Sequence, residues 1–406
     1  MSAPAVSFKR FGIRPEVERA PESGIVEVFK YGRDRPGLIP LWIGEGHRPT
    51  PGFIADAATR ALAEGDTFYT WQRGIPELRE AIARYTGRLM GRPFDSERFY
   101  VTVGGMHALQ IAMRLVSGVG DEVIVPTPAW PNFEGAVGIG GARPVPVPMT
   151  PGPDGWTLDL DRLEAAITPA TRALVVNSPA NPTGWTATRG DLVRILDIAR
   201  RHGLWIVADE IYQRFVHDPA LAPDGRRTAS FHDVMEEDDR ILFVQTFSKN
   251  WAMTGWRIGW LEAPPALGPL IENLVQHSTS GVPGFAQRAA LVAIEEGEEL
   301  VAEHIALARL NRDVVCEGLR ATNVVELPSP PGAFYAFFSV DGVGDTRRLA
   351  LDLIDHANVG LAPGTAFGAG GANHLRLCFL RDTAMLEEAV GRLATALPRL
   401  AGRRAA

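Results

Sequence analysis

The sequence contains few of the residues that covalently brace small proteins or bind structural metals. Only two cysteines occur in the 406 residues, Cys316 and Cys378, and they lie far apart along the chain. Two isolated cysteines exclude a disulfide framework, and without a CxxC pair they indicate neither a zinc site nor a redox motif. The nine histidines show no metal-ligand spacing on one helix face. We therefore expect no metal site.

Long apolar runs and an excess of basic residues are also lacking. No apolar stretch approaches the roughly 20 residues that span a bilayer, so no membrane partner is expected. The formal net charge of -7 is opposite in sign to that needed for binding phosphate backbones, so nucleic acid is not an expected partner. Residues 1–24 lack the apolar core and cleavage site of a signal peptide, which predicts a cytoplasmic protein.

The sequence does contain a regular alternation of helical and strand patterns. Apolar spacing predicts amphipathic helices over residues 53–65 and 76–90. From about residue 99, short continuously apolar segments alternate with helical ones. This pattern is typical of βαβ units around a buried, mostly parallel sheet.

The C-terminal third follows a different pattern. Residues 284–320 predict one long helix or two in tandem. Beyond them, GAFYAFFSV and HLRLCFL predict strands that flank a helix near TRRLALDLIDHA. The predicted fold class is therefore α/β, with a large domain built on the parallel sheet and a smaller α+β domain at the C-terminus. The predicted divisions are an N-terminal segment packing with the small domain (1–45), the large domain (46–285), and the linking helix with the small domain (286–406).

Each predicted strand of the parallel sheet ends in a polar or glycine-rich cluster. In open sheets of this type, ligands bind beyond the carboxyl ends of the strands. The five clusters are Gly104–Gly105, Pro128–Trp130, Asn177–Asn181, Asp209–Tyr212 and Thr246–Lys249. They predict one site at that edge of the sheet.

Lys249 is the most distinctive residue of these clusters. It stands in TFSKNWAMTGWRIGW, among aromatic and small residues rather than on a charged surface. A lysine becomes a nucleophile once desolvation lowers its pKa, and its amine can then form an imine with a carbonyl. If that carbonyl belongs to pyridoxal phosphate, the protein must bind the phosphate, place an acid at the ring nitrogen, hydrogen-bond the phenolic oxygen and cover the ring face.

Residues suited to the phosphate surround this lysine and the paired glycines. The candidates are Gly104, Gly105, Met106, Thr246, Ser248 and Arg257. The first three form a strand-to-helix turn whose backbone amides suit a phosphate. The last three supply hydroxyl groups and a fixed cation. Arg257 alone would ordinarily be a partner in a surface ion pair.

Four further residues suit the pyridine ring. Asp209 closes an apolar strand and can keep the ring nitrogen protonated, whereas Tyr212 and Asn181 can donate to the phenolic oxygen. Trp130 offers a flat face. Each has a simpler alternative: a helix N-cap for Asp209, a turn for Asn181, and core packing for Trp130.

In the order of these motifs the chain resembles the fold-type I pyridoxal-phosphate aminotransferases of the class I/II, aspartate-aminotransferase-like family. The resemblance covers nearly the whole chain, from LWIGEG near residue 42 to HLRLCFL near residue 379. The matching motifs are YTWQRGIPELREAI, VTVGGMHAL, PAWPNF, NSPANPTG, VADEIY, TFSKNWAMTGWRIG, PPGAFYAF and APGTAFG. The resemblance implies the cofactor pyridoxal 5′-phosphate, the roles named above for its phosphate and ring, and cis bonds before Pro128 and Pro182.

The same resemblance implies the roles of further residues. Lys249 would hold the cofactor as an aldimine and then shuttle a proton between the substrate Cα and C4′ of the cofactor. Arg376 would bind the substrate α-carboxylate, near the backbone of Gly44, with Trp130 and Asn181 also contacting substrate. Tyr69 would reach the phosphate in the neighbouring subunit, which implies a homodimer with shared active sites, although this tyrosine could also face the core.

The implied reaction transfers the amino group of an L-amino acid to a 2-oxo acid by a ping-pong mechanism. An alternative keeps the cofactor and changes the reaction, as in a C–S β-lyase or a cyclopropane-carboxylate synthase. A DNA-binding regulator of the same fold is disfavoured, because only about 40 residues precede the first motif. Two departures leave the substrate open: Met106 is apolar where many relatives have Lys or Ser, and residues 276–284 lack the arginine of dicarboxylate-specific members.

Overall fold

The computed structural model describes residues 11–20 and 22–402. Residues 1–10 of the predicted N-terminal segment and residues 403–406 at the C-terminus lie outside the described residues. Within the described part of the chain, no helix is both long enough and apolar enough to cross a bilayer.

A seven-stranded sheet lies at the centre of the larger part of the chain. In spatial order its strands are β2 (Phe99–Thr102), β10 (Gly259–Glu262), β9 (Ile241–Thr246), β8 (Trp205–Asp209), β7 (Thr171–Asn177), β3 (Glu122–Thr127) and β4 (Arg143–Pro148). All neighbouring pairs are parallel except the two made by β10, which runs antiparallel to β2 and β9. The five predicted strands are all present. Strands β4 and β10 were not predicted.

Both faces of this sheet are buried, which explains why its strands are continuously apolar. Leu174 and Ile206 belong to one buried cluster, whereas their chain neighbours Val175 and Val207 belong to another on the opposite face. The helices of this part are α3 (Gly52–Ala63), α4 (Pro76–Met90), α5 (Gly104–Val116), α6 (Asn132–Ile139), α7 (Leu160–Ala165), α8 (Arg189–His202) and α9 (Gly268–Gln276). The predicted helices over 53–65 and 76–90 are confirmed as α3 and α4. The proline-rich β4 lies at the sheet edge, where proline is tolerated.

The C-terminal part begins with two helices in tandem, the second of the two predicted arrangements. They are α10 (Gly284–Glu296) and α11 (Glu298–Arg320). A second sheet, antiparallel and four-stranded, contains β11 (Val325–Glu326), β12 (Tyr335–Val340), β15 (His374–Cys378) and β14 (Ala362–Pro363). Helices α12 (Thr346–Ala357) and α13 (Thr383–Gly402) complete this part. The α/β class with a small α+β C-terminal part is confirmed.

The N-terminal segment joins the small C-terminal part. It contains α1 (Pro15–Glu18), α2 (Gly24–Gly32) and β1 (Ile39–Pro40), and β1 pairs in parallel with β13 (Val359–Gly360). A short hairpin, β5 (Thr150–Gly152) with β6 (Gly155–Thr157), extends from the large sheet. The chain after β1 then passes the carboxyl ends of the parallel strands, where the two parts of the molecule meet.

Candidate active site

A cavity of about 370 Å³ opens where the parallel strands end. Its wall combines the N-terminal segment, the ends of β7 to β9, the segment after β9, and the small sheet. The predicted site residues on its wall are Gly44, Gly105, Met106, Trp130, Asn181, Asp209, Tyr212, Thr246, Ser248, Lys249, Arg257 and Arg376. Gly104 lies just behind the wall, and Tyr69 lies elsewhere on the surface. The volume suits a small ligand.

Lys249 lies three residues beyond the end of β9 and points into this cavity. Its Nζ donates a hydrogen bond to the carbonyl oxygen of Gly44 at 2.7 Å. Burial lowers the pKa of the Lys249 amine to about 8, because the charged form loses its hydration. Gly44 must be glycine here, since a Cβ at that position would lie 2.1 Å from the hydroxyl of Tyr335. The amine is therefore enclosed and readily deprotonated.

Asp209 is the last residue of β8 and is only 2% exposed. It accepts one hydrogen bond, from the backbone amide of Ile211 at 3.3 Å. Burial raises the pKa of Asp209 to about 7, against the opposing effects of that hydrogen bond and of the nearby Lys249 charge. Among the described residues it forms no ion pair. A buried carboxylate of this kind calls for a cationic ligand.

Arg376 is a buried cation that lacks an anionic partner among the described residues. It lies on β15, is 2% exposed, and donates to Asn181 Oδ1 at 3.0 Å and to the carbonyl oxygen of Trp42. Its Nε has no hydrogen-bond partner, and no carboxylate pairs with it among the described residues. A buried guanidinium held by neutral acceptors alone calls for an anion.

Asn181 and Tyr212 line the same cavity as these two charges. The Oδ1 of Asn181 accepts from Arg376, so its amino group is the part left to donate. Tyr212 is buried and its hydroxyl lies 2.7 Å from that of Tyr335. Burial raises the pKa of both Tyr212 and Tyr335 above the usual value of a phenol, so both stay protonated at neutral pH.

The opposite end of the cavity contains the residues predicted to bind a phosphate. Gly104 starts α5 with φ +74°, a left-handed conformation, and a Cβ there would lie 2.7 Å from a guanidinium nitrogen of Arg257. Arg257 donates to the carbonyl oxygen of Thr254 at 2.8 Å and forms no ion pair among the described residues. No side chain caps α5, so its first amides are available to an anion.

Two hydroxyl groups stand beside this turn. Thr246 Oγ1 and Ser248 Oγ lie 2.9 Å apart, and Thr246 Oγ1 also accepts the backbone amide of Ser248 at 3.1 Å. A Cβ on Gly105 would lie 3.4 Å from that of Thr246, so the turn and the hydroxyl groups are in contact. The N-terminus of α5, the hydroxyl groups and the guanidinium converge on one end of the cavity.

Trp130 and Tyr69 differ in their surroundings. Trp130 is half-buried on the cavity wall, edge-to-face with Phe133 at 5.6 Å between ring centroids. Tyr69 is 93% exposed, and its neighbours Phe68 and Trp71 are 83% and 65% exposed. We refer to these three side chains as the aromatic strip. The alternative that Tyr69 faces the core of its own protomer is therefore wrong.

Several wall residues were missed at the sequence level. They are Ser23, Ile25, Ile43, Pro131, Asn132, Val244 and Tyr335, whereas Asn177 and Ile211, also on the wall, lie in the predicted clusters. Tyr335 had a signal, because it lies in the motif PPGAFYAF, whereas Ser23 and Ile25 had none. The predicted cis bonds before Pro128 and Pro182 are both present, and a third precedes Pro179.

Comparison with known proteins places the chain among relatives of similar length. Residues 38–393 match the family model for aminotransferases of class I and II. A probable aspartate/prephenate aminotransferase of Thermus aquaticus is 35% identical over 95% of this chain and 97% of its own. Among solved structures, a mutant of Thermus thermophilus aspartate aminotransferase superposes with a TM-score of 0.86 at 34% identity, over 95% of this chain and 100% of the other. An aromatic aminotransferase from Pyrococcus horikoshii gives 0.83 at 32%, over 92% and 99%.

Proposed function

We propose that this chain, which belongs to the class I and II aminotransferase family, catalyses transamination with pyridoxal 5′-phosphate held around Lys249. One observation carries the proposal: three charged side chains of the cavity, Asp209, Arg257 and Arg376, form no ion pair among the described residues. The family implies the cofactor, and these unpaired charges are the ones that the cofactor and an amino acid would pair with.

The residues fit the cofactor group by group. The buried Asp209 needs a cation, which a protonated pyridine nitrogen provides. Arg257 and the uncapped start of α5 need an anion, which a phosphate provides. Lys249, with its pKa lowered to about 8, supplies the amine that reacts with an aldehyde. Trp130 would cover the ring face, and Tyr212 and Asn181 would donate to the phenolic oxygen.

When bound, pyridoxal 5′-phosphate supplies an aldehyde that condenses with amines and a ring that accepts an electron pair. The chain's own residues then bind, orient and move protons. Nζ of Lys249 would hold the cofactor, and once free it would take the proton from the substrate Cα and donate it again to complete the transfer. Asp209 would hold the ring nitrogen in its protonated form, in which the ring accepts electrons most readily.

Arg376 positions the substrate. Its two terminal nitrogens form a fork suited to a carboxylate, and Tyr335 supports the guanidinium, with 4.7 Å from Cζ to the ring centroid. The backbone of Gly44 lines the same cavity as Arg376, and its carbonyl oxygen accepts a hydrogen bond from Lys249 Nζ. After one oxo acid leaves, a second oxo acid uses the same fork, which is a ping-pong sequence.

A purified-protein assay tests the proposal. The protein, incubated with pyridoxal 5′-phosphate, an L-amino acid mixture and a 2-oxo acid, should form the new amino acid. Lys249→Ala should abolish both this product and the absorbance band of the lysine-bound cofactor. Stoichiometric release of ammonia and an oxo acid without an acceptor would instead indicate the β-lyase alternative; the relatives reported above are named aminotransferases, which supports transamination.

We also propose that the active unit is a homodimer with shared sites. The aromatic strip is strongly exposed in one protomer, and contiguous exposed aromatic surface commonly marks an interface. Arg257 is exposed as well, so a second copy could complete the phosphate end with Tyr69. The domain divisions at residues 45 and 285, and a cytoplasmic location, stay predictions of the sequence.

Mixing two inactive variants tests the shared site. Lys249→Ala protomers retain Tyr69, and Tyr69→Ala protomers retain Lys249. If sites are shared across a two-fold dimer, half of the randomly mixed dimers are hybrids with one complete site, so activity recovers to about one quarter of wild type. No recovery, with hybrids demonstrated by tag exchange, would show that each site uses one protomer alone.

A further inference from the structure

The charged side chains that line the cavity are few, and each has a role in the proposed function. They are Asp209, Lys249, Arg257 and Arg376. Lys249 holds the cofactor, Arg257 faces its phosphate, and Arg376 binds the α-carboxylate common to all amino acids. Among the described residues, the cavity wall therefore has no further cation for a second carboxylate on the substrate.

The part of the wall left for the substrate side chain is uncharged. The wall residues without a charge or an assigned role include Ser23, Ile25, Ile43, Pro131 and Asn132, together with the side chain of Met106. Met106 packs against the apolar core beneath the wall, and Asn132 Nδ2 lies 3.5 Å from its sulfur atom. Burying apolar surface gains about 25 cal/mol per Å², so this wall favours an apolar substrate side chain.

Two arginines close to this wall do not line the cavity. Arg381 lies behind the segment 43–46, where it donates to the carbonyl oxygens of Ile43 and Gly46 at 3.5 and 3.4 Å, and it does not line the cavity. Arg48 is paired with Glu303 at 2.8 Å. Neither guanidinium lines the cavity.

Two arginines next to the aromatic strip are already paired with carboxylates. Arg73 binds Glu97 and Glu272, and Arg288 binds Asp66 and Glu77 at 3.4 and 3.1 Å. The neighbouring segment 276–281 contains no lysine or arginine. A second copy that approached through this surface would bring arginines already neutralised by carboxylates.

We propose that the amino donor of this enzyme has an uncharged, apolar side chain, of the leucine, methionine or phenylalanine kind, and that dicarboxylic amino acids are poor substrates. A carboxylate buried without a cationic partner is strongly disfavoured, and such a mismatch lowers specificity far more than a missing methylene does. This assignment rests on the proposed function and specifies its substrate class.

Ligand binding tests the assignment without catalysis. In the cofactor-loaded protein, calorimetry should show that 4-methylpentanoate and 3-phenylpropanoate, each with one carboxylate, bind at least 10-fold more tightly than succinate and glutarate. Half-reactions followed by the cofactor spectrum should rank leucine, methionine and phenylalanine above aspartate and glutamate. Tighter binding of succinate, or aspartate as the best donor, would overturn the assignment. Failure of every donor to change the spectrum would instead refute the proposed function.

A charge-insertion variant tests whether the substrate side chain lies against the uncharged wall. Asn132→Arg places a cation on the uncharged wall, and Asn132→Gln is its neutral control of similar polarity. The arginine variant should bind succinate about 10-fold more tightly than the glutamine variant and should exceed it in activity on aspartate. If both variants load with cofactor and neither gains affinity for dicarboxylates, the side-chain end lies elsewhere and the assignment is wrong.

Discussion

The hydroxyl groups of Tyr212 and Tyr335 lie 2.7 Å apart inside the cavity and join the two parts of the molecule. Tyr212 follows β8 of the large sheet, whereas Tyr335 begins β12 of the small one. The ring of Tyr335 also supports Arg376. One side chain therefore contacts both the proposed donor to the cofactor and the proposed substrate fork, which makes it a positioning residue.

Replacing Tyr335 should separate these two contacts. Tyr335→Phe keeps the ring and removes the hydroxyl, and a neutral hydrogen bond contributes about 0.5–1.5 kcal/mol. We expect kcat to fall roughly 2- to 10-fold with KM unchanged. Tyr335→Leu also removes the ring beneath Arg376 and should raise KM for the donor. Steady-state kinetics on both variants measures the split, and an equal rise of KM in the two would contradict it.

The rate at which Lys249 binds the cofactor covalently should depend on pH, because the pKa of its amine is lowered. Only the neutral amine attacks an aldehyde, and the pKa of Lys249 is about 8. The rate at which the cofactor-free protein binds pyridoxal 5′-phosphate covalently should therefore rise up to about pH 8 and then level off. An ordinary lysine would continue to gain rate towards pH 10.5. Stopped-flow absorbance across this range distinguishes the two curves.

Asp209 should destabilise the cofactor-free protein at neutral pH. Its pKa is about 7 when folded and 3.8 ordinarily, so between these values the unfolded chain releases its proton first and stability falls as pH rises. Cofactor-free Asp209→Asn should melt at a higher temperature than wild type at pH 8, and the difference should vanish near pH 4. Scanning calorimetry measures both melting temperatures.

Adding the cofactor provides the control for this stability difference. Pyridoxal 5′-phosphate should raise the melting temperature of wild type more than that of Asp209→Asn, since only the aspartate pairs with a protonated ring nitrogen. The variant should also lose most of its activity. An equal shift in the two proteins would show that Asp209 does not contact the ring nitrogen.

The sequence was sufficient to predict the strand ends but not the residues brought in by packing between distant segments. Asn181, Asp209 and Lys249 follow continuously apolar strands, and parallel strands place their carboxyl ends at one edge, so their proximity could be predicted. Ser23 and Ile25 reach the same cavity only because β1 pairs with β13, more than 300 residues later. No local sequence pattern predicts that strand pairing.

The unpredicted strands have a similar explanation. Strand β10 runs antiparallel to β9 and follows it without an intervening helix, so it lacks the helical connection that marks the other strands. Strand β4 contains three prolines, which argue against a strand unless it lies at an edge. Edge position is a property of the assembled sheet and cannot be read from the segment.

Gly104 should be required for cofactor affinity because two features exclude a side chain there. Its φ of +74° disfavours any L-residue by about 1–2 kcal/mol, and a Cβ would lie 2.7 Å from the Arg257 guanidinium. Gly104→Ala should therefore weaken pyridoxal 5′-phosphate binding roughly 10-fold or more, through displacement of Arg257. Gly135→Ala is the control, since Gly135 lies in α6 with nothing within 4 Å of an added Cβ. Fluorescence titration of the cofactor-free proteins gives both dissociation constants for pyridoxal 5′-phosphate. Equal affinity in the two variants would show that Arg257 does not bind the phosphate.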